Sequence, residues 1–144
     1  MGTKMLMVLV SGLLLGADGA DQAKADKEKL QGKWLVTSGV MDGTEIPKDQ
    51  IKGDLVFKGN TYTYTAGEGE GGAGTFKIDP SKKPKVMDSV PSEGPVKGQT
   101  IEEIYEIDGD NLKICLALPG NPRPTEFKAP EGSGRWLFTY KRAK

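Results

Sequence analysis

At Leu30-Gln31-Gly32-Lys33-Trp34 a polar N-terminal segment gives way to the first strand-like run, and the rest of the chain continues as short strands. Trp34 is one of two tryptophans in the chain and opens residues 34–41, which are rich in β-forming side chains. Because Trp34 opens this run, it is predicted to lie at the entry to a strand, at one end of a barrel or sandwich.

The sequence beyond this stretch consists of short strand-like runs separated by turn residues. The strongest hairpin signals are Gly59-Asn60 and Asp108-Gly109-Asp110. Strands are predicted at residues 33–41, 53–58, 61–65, 75–79, 85–90, 100–107, 111–118 and 135–142. About eight strands without a long amphipathic helix predict an all-β, up-and-down antiparallel barrel, with a sandwich as the alternative. A closed barrel would also leave no exposed strand edges.

Three segments between the strands are predicted to be irregular. Residues 44–50 are expected to form a loop or a short helical turn, since Pro47 disfavours a strand. The glycine-rich residues 67–74 are predicted to be a flexible hairpin loop. A phosphate-binding loop would need a helix after it, and two glutamates would repel the phosphate. Residues 119–134 form the longest loop and contain four prolines.

The N-terminus has the features of a secretory signal peptide at residues 1–19. Lys4 precedes an apolar run, and small residues follow it, so cleavage is predicted after Gly19, with Ala17 and Ala20 as alternatives. Residues 20–29 are predicted to be a polar linker or one frayed helical turn, and residues 30–144 the barrel domain. The protein is expected to be periplasmic or secreted, without a stable membrane anchor after cleavage. An uncleaved cytosolic N-terminus is the alternative.

Composition excludes several classes of activity. The chain has no histidine, which removes Ser-His-Asp and Cys-His catalysis and histidine-ligated metals. Cys115 is the single cysteine and lies within a predicted strand, so it is expected to be buried and inert. The 20 basic and 20 acidic residues balance, which argues against nucleic-acid binding. We expect a non-catalytic protein without cofactor or metal, most simply a monomer.

The candidate ligand-binding residues lie on inward strand faces and on the long loop. Strand alternation places Glu103 and Tyr105 together on the more apolar face of residues 100–107. Glu102 and Glu106 lie on the opposite face, and Asp108 and Asp110 lack the further ligands of a calcium loop. The full candidate set is Tyr62, Tyr64, Glu103, Tyr105, Arg123, Glu126 and Phe127. In the loop, an Arg123–Glu126 ion pair is the structural alternative to a binding role.

Two motifs resemble those of known β-barrels. Gly32-Lys33-Trp34 resembles the Gly-x-Trp motif that opens the first strand of lipocalins and the wider calycin group. Tyr140-Lys141-Arg142 resembles the last-strand segment whose basic residue packs across that tryptophan. The resemblance implies a structural clamp of Gly32, Trp34 and Arg142. In a closed meander the last strand lies antiparallel to the first, so Arg142 can reach the Trp34 ring.

Over residues 30–142 the chain most closely resembles a planctomycete-type lipocalin-like domain of unknown function. The matching pieces are Leu30-Gln-Gly-Lys-Trp34, Gly74-Thr-Phe-Lys-Ile-Asp-Pro80, Lys82-Lys-Pro-Lys85, Ile104-Tyr-Glu-Ile-Asp-Gly-Asp-Asn-Leu-Lys-Ile-Cys115 and Arg123-Pro-Thr-Glu-Phe127. This resemblance implies a lipocalin-like fold and an extracytoplasmic location, but no catalytic residues. The loops are shorter than in typical lipocalins.

These observations predict a binding protein for a small apolar or amphipathic ligand. The alternative is an interaction or inhibitor-like module that presents residues 119–134 to an envelope partner. An eight-stranded barrel of this size is expected to have a narrow interior, barely wide enough for side chains or one small ligand.

Overall fold

The computed structural model describes residues 19–67 and 69–144. The predicted signal peptide therefore lies outside the described residues, except for Gly19. A helix, α1, covers residues 19–30. The strands are β1 (Gly32–Met41), β2 (Thr44–Glu45), β3 (Gly53–Lys58), β4 (Thr61–Ala66), β5 (Glu70–Asp79), β6 (Lys85–Pro91), β7 (Ile101–Asp108), β8 (Asn111–Ala117) and β9 (Arg135–Arg142).

The strands form a closed antiparallel barrel in sequential order. Strand β1 pairs with β3, each later strand pairs with the next, and β9 pairs back with β1. Eight strands close the barrel, and the two-residue β2 only extends the end of β1. The predicted all-β, up-and-down barrel is confirmed. The predicted loop at residues 44–50 differs only in this short pairing.

Residues 20–29, predicted to be a polar linker or one frayed helical turn, form most of α1. The least exposed positions of this segment are Ala23, Asp26, Lys27 and Leu30, a helical spacing of three and four residues. The buried carboxylate of Asp26 interrupts the apolar pattern that would have indicated a helix. Its Oδ2 accepts hydrogen bonds from the Tyr105 hydroxyl (2.8 Å) and from Lys85 Nζ (2.9 Å). Helix α1 therefore closes one end of the barrel.

The glycine-rich tract contributes most of its residues to a strand, which contradicts the predicted flexible loop. Strand β5 begins at Glu70 and pairs with β4 from Ala66 to Thr61. Backbone pairing with β4 along the tract, joined by pairing with β6 from Gly74 onward, stabilises this extended segment although glycine is unfavourable in strands. The glycines also make room for bulky side chains on β4.

The main core fills the half of the barrel next to α1. Its largest fully buried side chains include Trp34, Tyr105 and Leu30. A second buried group lies on the outer wall, because residues 119–134 fold back over β7 and β8. Ile104 and Cys115 are buried there, and Cys115 Sγ donates a weak hydrogen bond to the carbonyl oxygen of Lys128 at 3.4 Å. Burial raises the pKa of the Cys115 thiol.

Candidate functional site

The end of the barrel opposite α1 is open, and a cavity of about 950 Å³ extends inward from it. The segments that follow β2, β4, β6 and β8 surround its mouth. The large side chains of its walls are Leu55, Phe57, Tyr62, Tyr64, Met87, Ile114, Leu116, Trp136, Phe138 and Tyr140. This volume falls in the range of about 300–1,000 Å³ that is typical of small-molecule sites.

The open end of the lumen contains space for one small ligand, which the sequence prediction allowed, because two tyrosine side chains lie against the barrel wall. Tyr62 and Tyr64 of β4 pair with Gly74 and Gly72 of β5. A Cβ atom at Gly72 would lie only 2.7 Å from the Tyr64 ring, and one at Gly74 only 2.6 Å from the Tyr62 hydroxyl. The tyrosines therefore occupy the space above the glycines, which leaves the lumen open.

Glu103 is the buried acidic side chain of this cavity. It lies on β7 between Met87 of β6 and Leu116 of β8, and only 6% of its surface is exposed. Ser89 Oγ donates a hydrogen bond of 2.6 Å to its Oε1. Burial raises the pKa of the Glu103 carboxyl from 4.5 to about 7, although the Ser89 hydrogen bond opposes this shift. The predicted inward orientation of Glu103 is confirmed.

Two tyrosine hydroxyls lie near this carboxyl. Burial, followed by the charge of Glu103, raises the pKa of Tyr62 to about 12. The same two causes raise the pKa of Tyr140 above its usual value. Both hydroxyls therefore stay protonated at neutral pH and can donate or accept hydrogen bonds. Tyr64, which is 44% exposed, stands nearer the mouth.

Tyr105, although predicted as a ligand-binding residue, belongs to the closed end of the barrel. Its side chain is 1% exposed, and its hydroxyl donates to Asp26 of α1. Burial, together with this hydrogen bond to a carboxylate, raises the pKa of Tyr105. It points to the same inner face as Glu103 but two residues deeper, where α1 covers the lumen. It does not line the cavity.

Arg123 is held against the outer wall of the barrel and not at the mouth of the cavity. Its Nη1 donates to the carbonyl oxygens of Met87 (3.1 Å) and Glu103 (2.8 Å), and its Nη2 pairs with Asp88. The hypothetical Arg123–Glu126 ion pair is not formed, since Glu126 instead approaches Lys128 at 3.7 Å.

Phe127, the third predicted residue of the loop, also lies on the outside of the barrel. Lys113 Nζ of β8 stands 5.6 Å from the centre of its ring. The three loop residues are thus separated from the cavity by the barrel wall.

The structural clamp joins α1, β1 and β9. The Arg142 guanidinium lies 4.2 Å from the centre of the Trp34 ring, and Gly32 has a φ of 108° beside it. Arg142 also donates to the carbonyl oxygens of Gln31 (3.0 Å) and Lys29 at the end of α1. Trp34 Nε1 donates to the carbonyl oxygen of Leu30 at 2.8 Å. This end of the barrel is closed and structural.

The sequence interpretation missed Ser89 and gave the aromatic residues of β9 no site role. The alternation of Trp136, Phe138 and Tyr140 on one side of β9 was a usable signal. No sequence signal indicated Ser89, because its contact with Glu103 depends on the register between β6 and β7. Sequence periodicity specifies which face of the sheet a side chain points to, but not which residue lies beside it on the neighbouring strand.

Glu102 and Asp110, two of the acidic residues considered from the sequence, pair with arginines outside the cavity. Glu102 approaches Arg123 at 3.6 Å, and Asp110 approaches Arg142 at 3.6 Å. In residues 19–67 and 69–144, no three His, Cys, Asp or Glu side chains come together in an arrangement that could hold a metal ion. Across the same residues, no helix has the length and apolar character needed to cross a membrane.

Comparisons with protein-family models, with curated proteins and with solved structures found no match to this chain. The class of protein is therefore defined by the architecture alone. The chain is a lipocalin-like, closed eight-stranded β-barrel with one end covered by a helix and the other open.

Proposed function

We propose that this protein is an exported, non-catalytic binding protein that holds a small apolar or amphipathic ligand in the open half of its barrel. The observation that carries this proposal is the cavity of about 950 Å³ and its mainly apolar and aromatic walls. Burial of a ligand against such walls is favourable by roughly 25 cal/mol for each Å² of apolar surface removed from water. The polar groups of Glu103, Ser89 and Tyr62 would orient the ligand.

Native mass spectrometry of the protein purified from its own host tests this function. A small molecule should accompany the wild-type protein. Leu116→Trp should prevent its retention, because Leu116 lines the cavity beside Trp136 of the neighbouring strand. Leu35→Trp is the matched control, since Leu35 is 44% exposed on the outer face of β1. Equal ligand retention by both variants would place the bound molecule outside the barrel and contradict the proposal.

The two tryptophans provide a second measurement in solution. Trp136 lines the cavity, whereas Trp34 is fully buried at the closed end. A ligand in the cavity should change the fluorescence of Trp136 and leave that of Trp34 nearly constant. The ligand-dependent change should therefore disappear in Trp136→Phe. A full response in that variant would mean that the ligand binds elsewhere.

Export is part of the same proposal. The apolar run at residues 5–15, after Lys4 and before small residues, supports a cleaved signal peptide and a periplasmic or secreted protein. The intact mass of the protein from its host should correspond to a chain that begins close to Ala20. Soluble cytosolic protein that retains Met1 would contradict export without affecting the cavity.

We also propose that the chain is related to the planctomycete-type lipocalin-like domains that its motifs resemble. The contact of Arg142 with Trp34 supports a relationship to lipocalins and the wider calycin group, whose Gly-x-Trp and last-strand motifs imply it. A solved structure of such a domain should contain the same stacked pair beneath an N-terminal helix. If the tryptophan of such a domain packs against a different residue, the proposed relationship between this chain and those domains would be contradicted.

A further inference from the structure

At the polar end of the cavity, only one of the two oxygens of the Glu103 carboxyl accepts a side-chain hydrogen bond from the described residues. Ser89 donates to Oε1 of Glu103, whereas Oε2 accepts no hydrogen bond from residues 19–67 or 69–144. No side-chain oxygen or nitrogen of that described part is both buried and without a hydrogen bond, so Oε2 retains access to the lumen. Glu103 is nevertheless 94% buried and lines the cavity. Oε2 is therefore a hydrogen-bond acceptor that faces the cavity and is available to a ligand.

The cationic groups close to this carboxyl are engaged elsewhere. Arg123 lies on the outer wall and bonds the main-chain oxygen of Glu103 and the Asp88 side chain. Lys85, the nearest lysine of β6, is bonded to Asp26 of α1. On β8, Lys113 points outward and pairs with Glu106 at 3.8 Å. Among residues 19–67 and 69–144, none of these three cations pairs with the Glu103 side chain.

The remaining titratable groups around the cavity are mostly acidic or neutral. Tyr62 of β4 and Tyr140 of β9 face Glu103 as neutral hydroxyls. Asp88 and Glu102, its neighbours on β6 and β7, point to the outer wall beside Arg123. At the mouth, the lining includes the carboxylates of Asp54, Glu70 and Glu93 and the ammonium of Lys52. Asp54 is paired with Lys33 at 3.3 Å.

We infer that the ligand of this cavity is an amphipathic amine, whose protonated nitrogen binds Glu103 Oε2 and whose apolar body lies along the aromatic wall. This inference rests on the proposed ligand-binding function. An ammonium group supplies the hydrogen-bond donors and the positive charge that the site lacks. Tyr62, Tyr140 and Trp136 add ring faces that attract an alkylammonium group. A fatty acid carboxylate would instead meet like charge at Glu103, Glu70 and Glu93.

Binding of an amine should be coupled to loss of a proton from the site. The empty site has a Glu103 carboxyl with a pKa of about 7, because burial penalises its charged form. A bound ammonium stabilises the carboxylate, so the amine must displace the proton when the pH is below that value. The apparent Kd for an amine should therefore rise about 100-fold from pH 8 to pH 5. At pH 7 binding should release about half a proton.

Three probes with the same chain length test this inference: n-decylamine, n-decanol and decanoate. Isothermal titration calorimetry in buffers of different ionisation enthalpy gives both the Kd and the number of protons released. The wild-type protein should bind decylamine at least 10-fold more tightly than decanol at pH 8, and decanoate more weakly than either. Glu103→Gln should abolish the preference for decylamine, the proton release and the pH dependence, while the affinity for decanol is retained.

Glu106→Gln is the matched control, because Glu106 lies on the same strand and points outward. It should behave as the wild-type protein does. Leu116→Trp should weaken the binding of all three probes, which excludes adsorption to the surface. Retained binding of decanol by Glu103→Gln also demonstrates that the variant is folded.

The outcomes separate this inference from the proposed function. Equal binding of decylamine and decanol, or an unchanged preference in Glu103→Gln, would overturn the amine assignment but leave a ligand-binding barrel. Tighter binding of decanoate than of decylamine would also overturn it. Failure of all three probes to bind, or binding that Leu116→Trp does not weaken, would overturn the proposed function itself.

Discussion

Replacement of Trp34 by alanine should remove a large part of the stability of this protein. The indole is fully buried beneath α1, and its Nε1 donates to the carbonyl oxygen of Leu30 at 2.8 Å. Truncation of a buried tryptophan costs about 3–5 kcal/mol, and the lost hydrogen bond is part of that value. Since small domains have a free energy of unfolding of about 5–15 kcal/mol, Trp34→Ala should be at most marginally folded.

Arg142→Ala should have a smaller effect than Trp34→Ala, but a larger one than loss of the stacking alone. The guanidinium lies over the ring at 4.2 Å and also donates to the carbonyl oxygens of Lys29 and Gln31. Its side chain is 30% exposed, so solvent weakens both contributions. We expect a loss of about 2 kcal/mol. Arg142→Lys should recover only part of it, because an ammonium cannot stack and bond both carbonyls together.

A double-mutant cycle measures whether the two residues act together. Trp34→Phe keeps an aromatic ring but loses the hydrogen bond to Leu30, so it provides a folded partner for Arg142→Ala. Urea unfolding of the wild-type protein, the two single variants and the double variant gives the coupling energy. The double variant should lose less than the sum of the singles, by about 0.5–1 kcal/mol. Strictly additive losses would refute the argued contact between the closing strands.

Four further predictions concern other parts of the molecule. Burial raises the pKa of Glu103 in the folded state from 4.5 to about 7. Between these pH values the folded protein binds a proton that the unfolded chain has lost, so the free energy of unfolding should fall by about 3 kcal/mol as the pH rises through this window. Urea midpoints at pH 4.5 and pH 8 should show this loss in the wild-type protein relative to Glu103→Gln, and a parallel response of both would disprove it. Asp26→Ala leaves the Tyr105 hydroxyl and Lys85 without their acceptor and should cost about 1–3 kcal/mol in thermal or urea unfolding, whereas Asp21→Ala, an exposed change on the same helix, should be neutral. Gly72→Ala should destabilise the barrel by about 1–3 kcal/mol, since its methyl group would meet the Tyr64 ring, and Tyr64→Ala in the same chain should relieve the clash; no relief would show that the ring is not the cause. Arg123→Ala removes the hydrogen bonds that hold residues 119–134 against the barrel, so this loop should become sensitive to limited proteolysis. Glu126→Ala removes only an exposed ion pair, so it should change stability by less than about 0.5 kcal/mol and leave the cleavage rate nearly unchanged.

The barrel itself was predictable because its signals are local. Alternation in residues 61–65 and the turn residues at 59–60 indicate a hairpin without knowledge of the remaining chain. The same alternation correctly placed Glu103 on the inner face of β7, and it was confirmed by the 6% exposure of that residue. Strand closure could also be anticipated, since a closed sheet leaves no exposed edges and an even number of strands allows the last to pair antiparallel with the first.

The sequence predicted at most one frayed turn in place of helix α1, because the buried face of this helix contains a charged residue. Asp26 becomes favourable in the interior only when Tyr105 and Lys85 donate to it, and these residues are 79 and 59 positions away in the chain. A search for regularly spaced apolar residues cannot detect a buried helix face that contains a charged residue. The glycine-rich tract was misread for a related reason, since Gly72 and Gly74 make sense only beside the tyrosines of β4.

Turn chemistry and a period of two are local, so most of the strands, their order and the inward direction of individual side chains could be read from the amino acids alone. The contacts between distant groups required the folded barrel: Ser89 with Glu103, Arg123 with the outer wall, and Tyr62 and Tyr64 with two glycines. Those contacts depend on register and on the closure of the sheet. The open cavity and its half-satisfied carboxyl are their product, so no local pattern of residues could have revealed them.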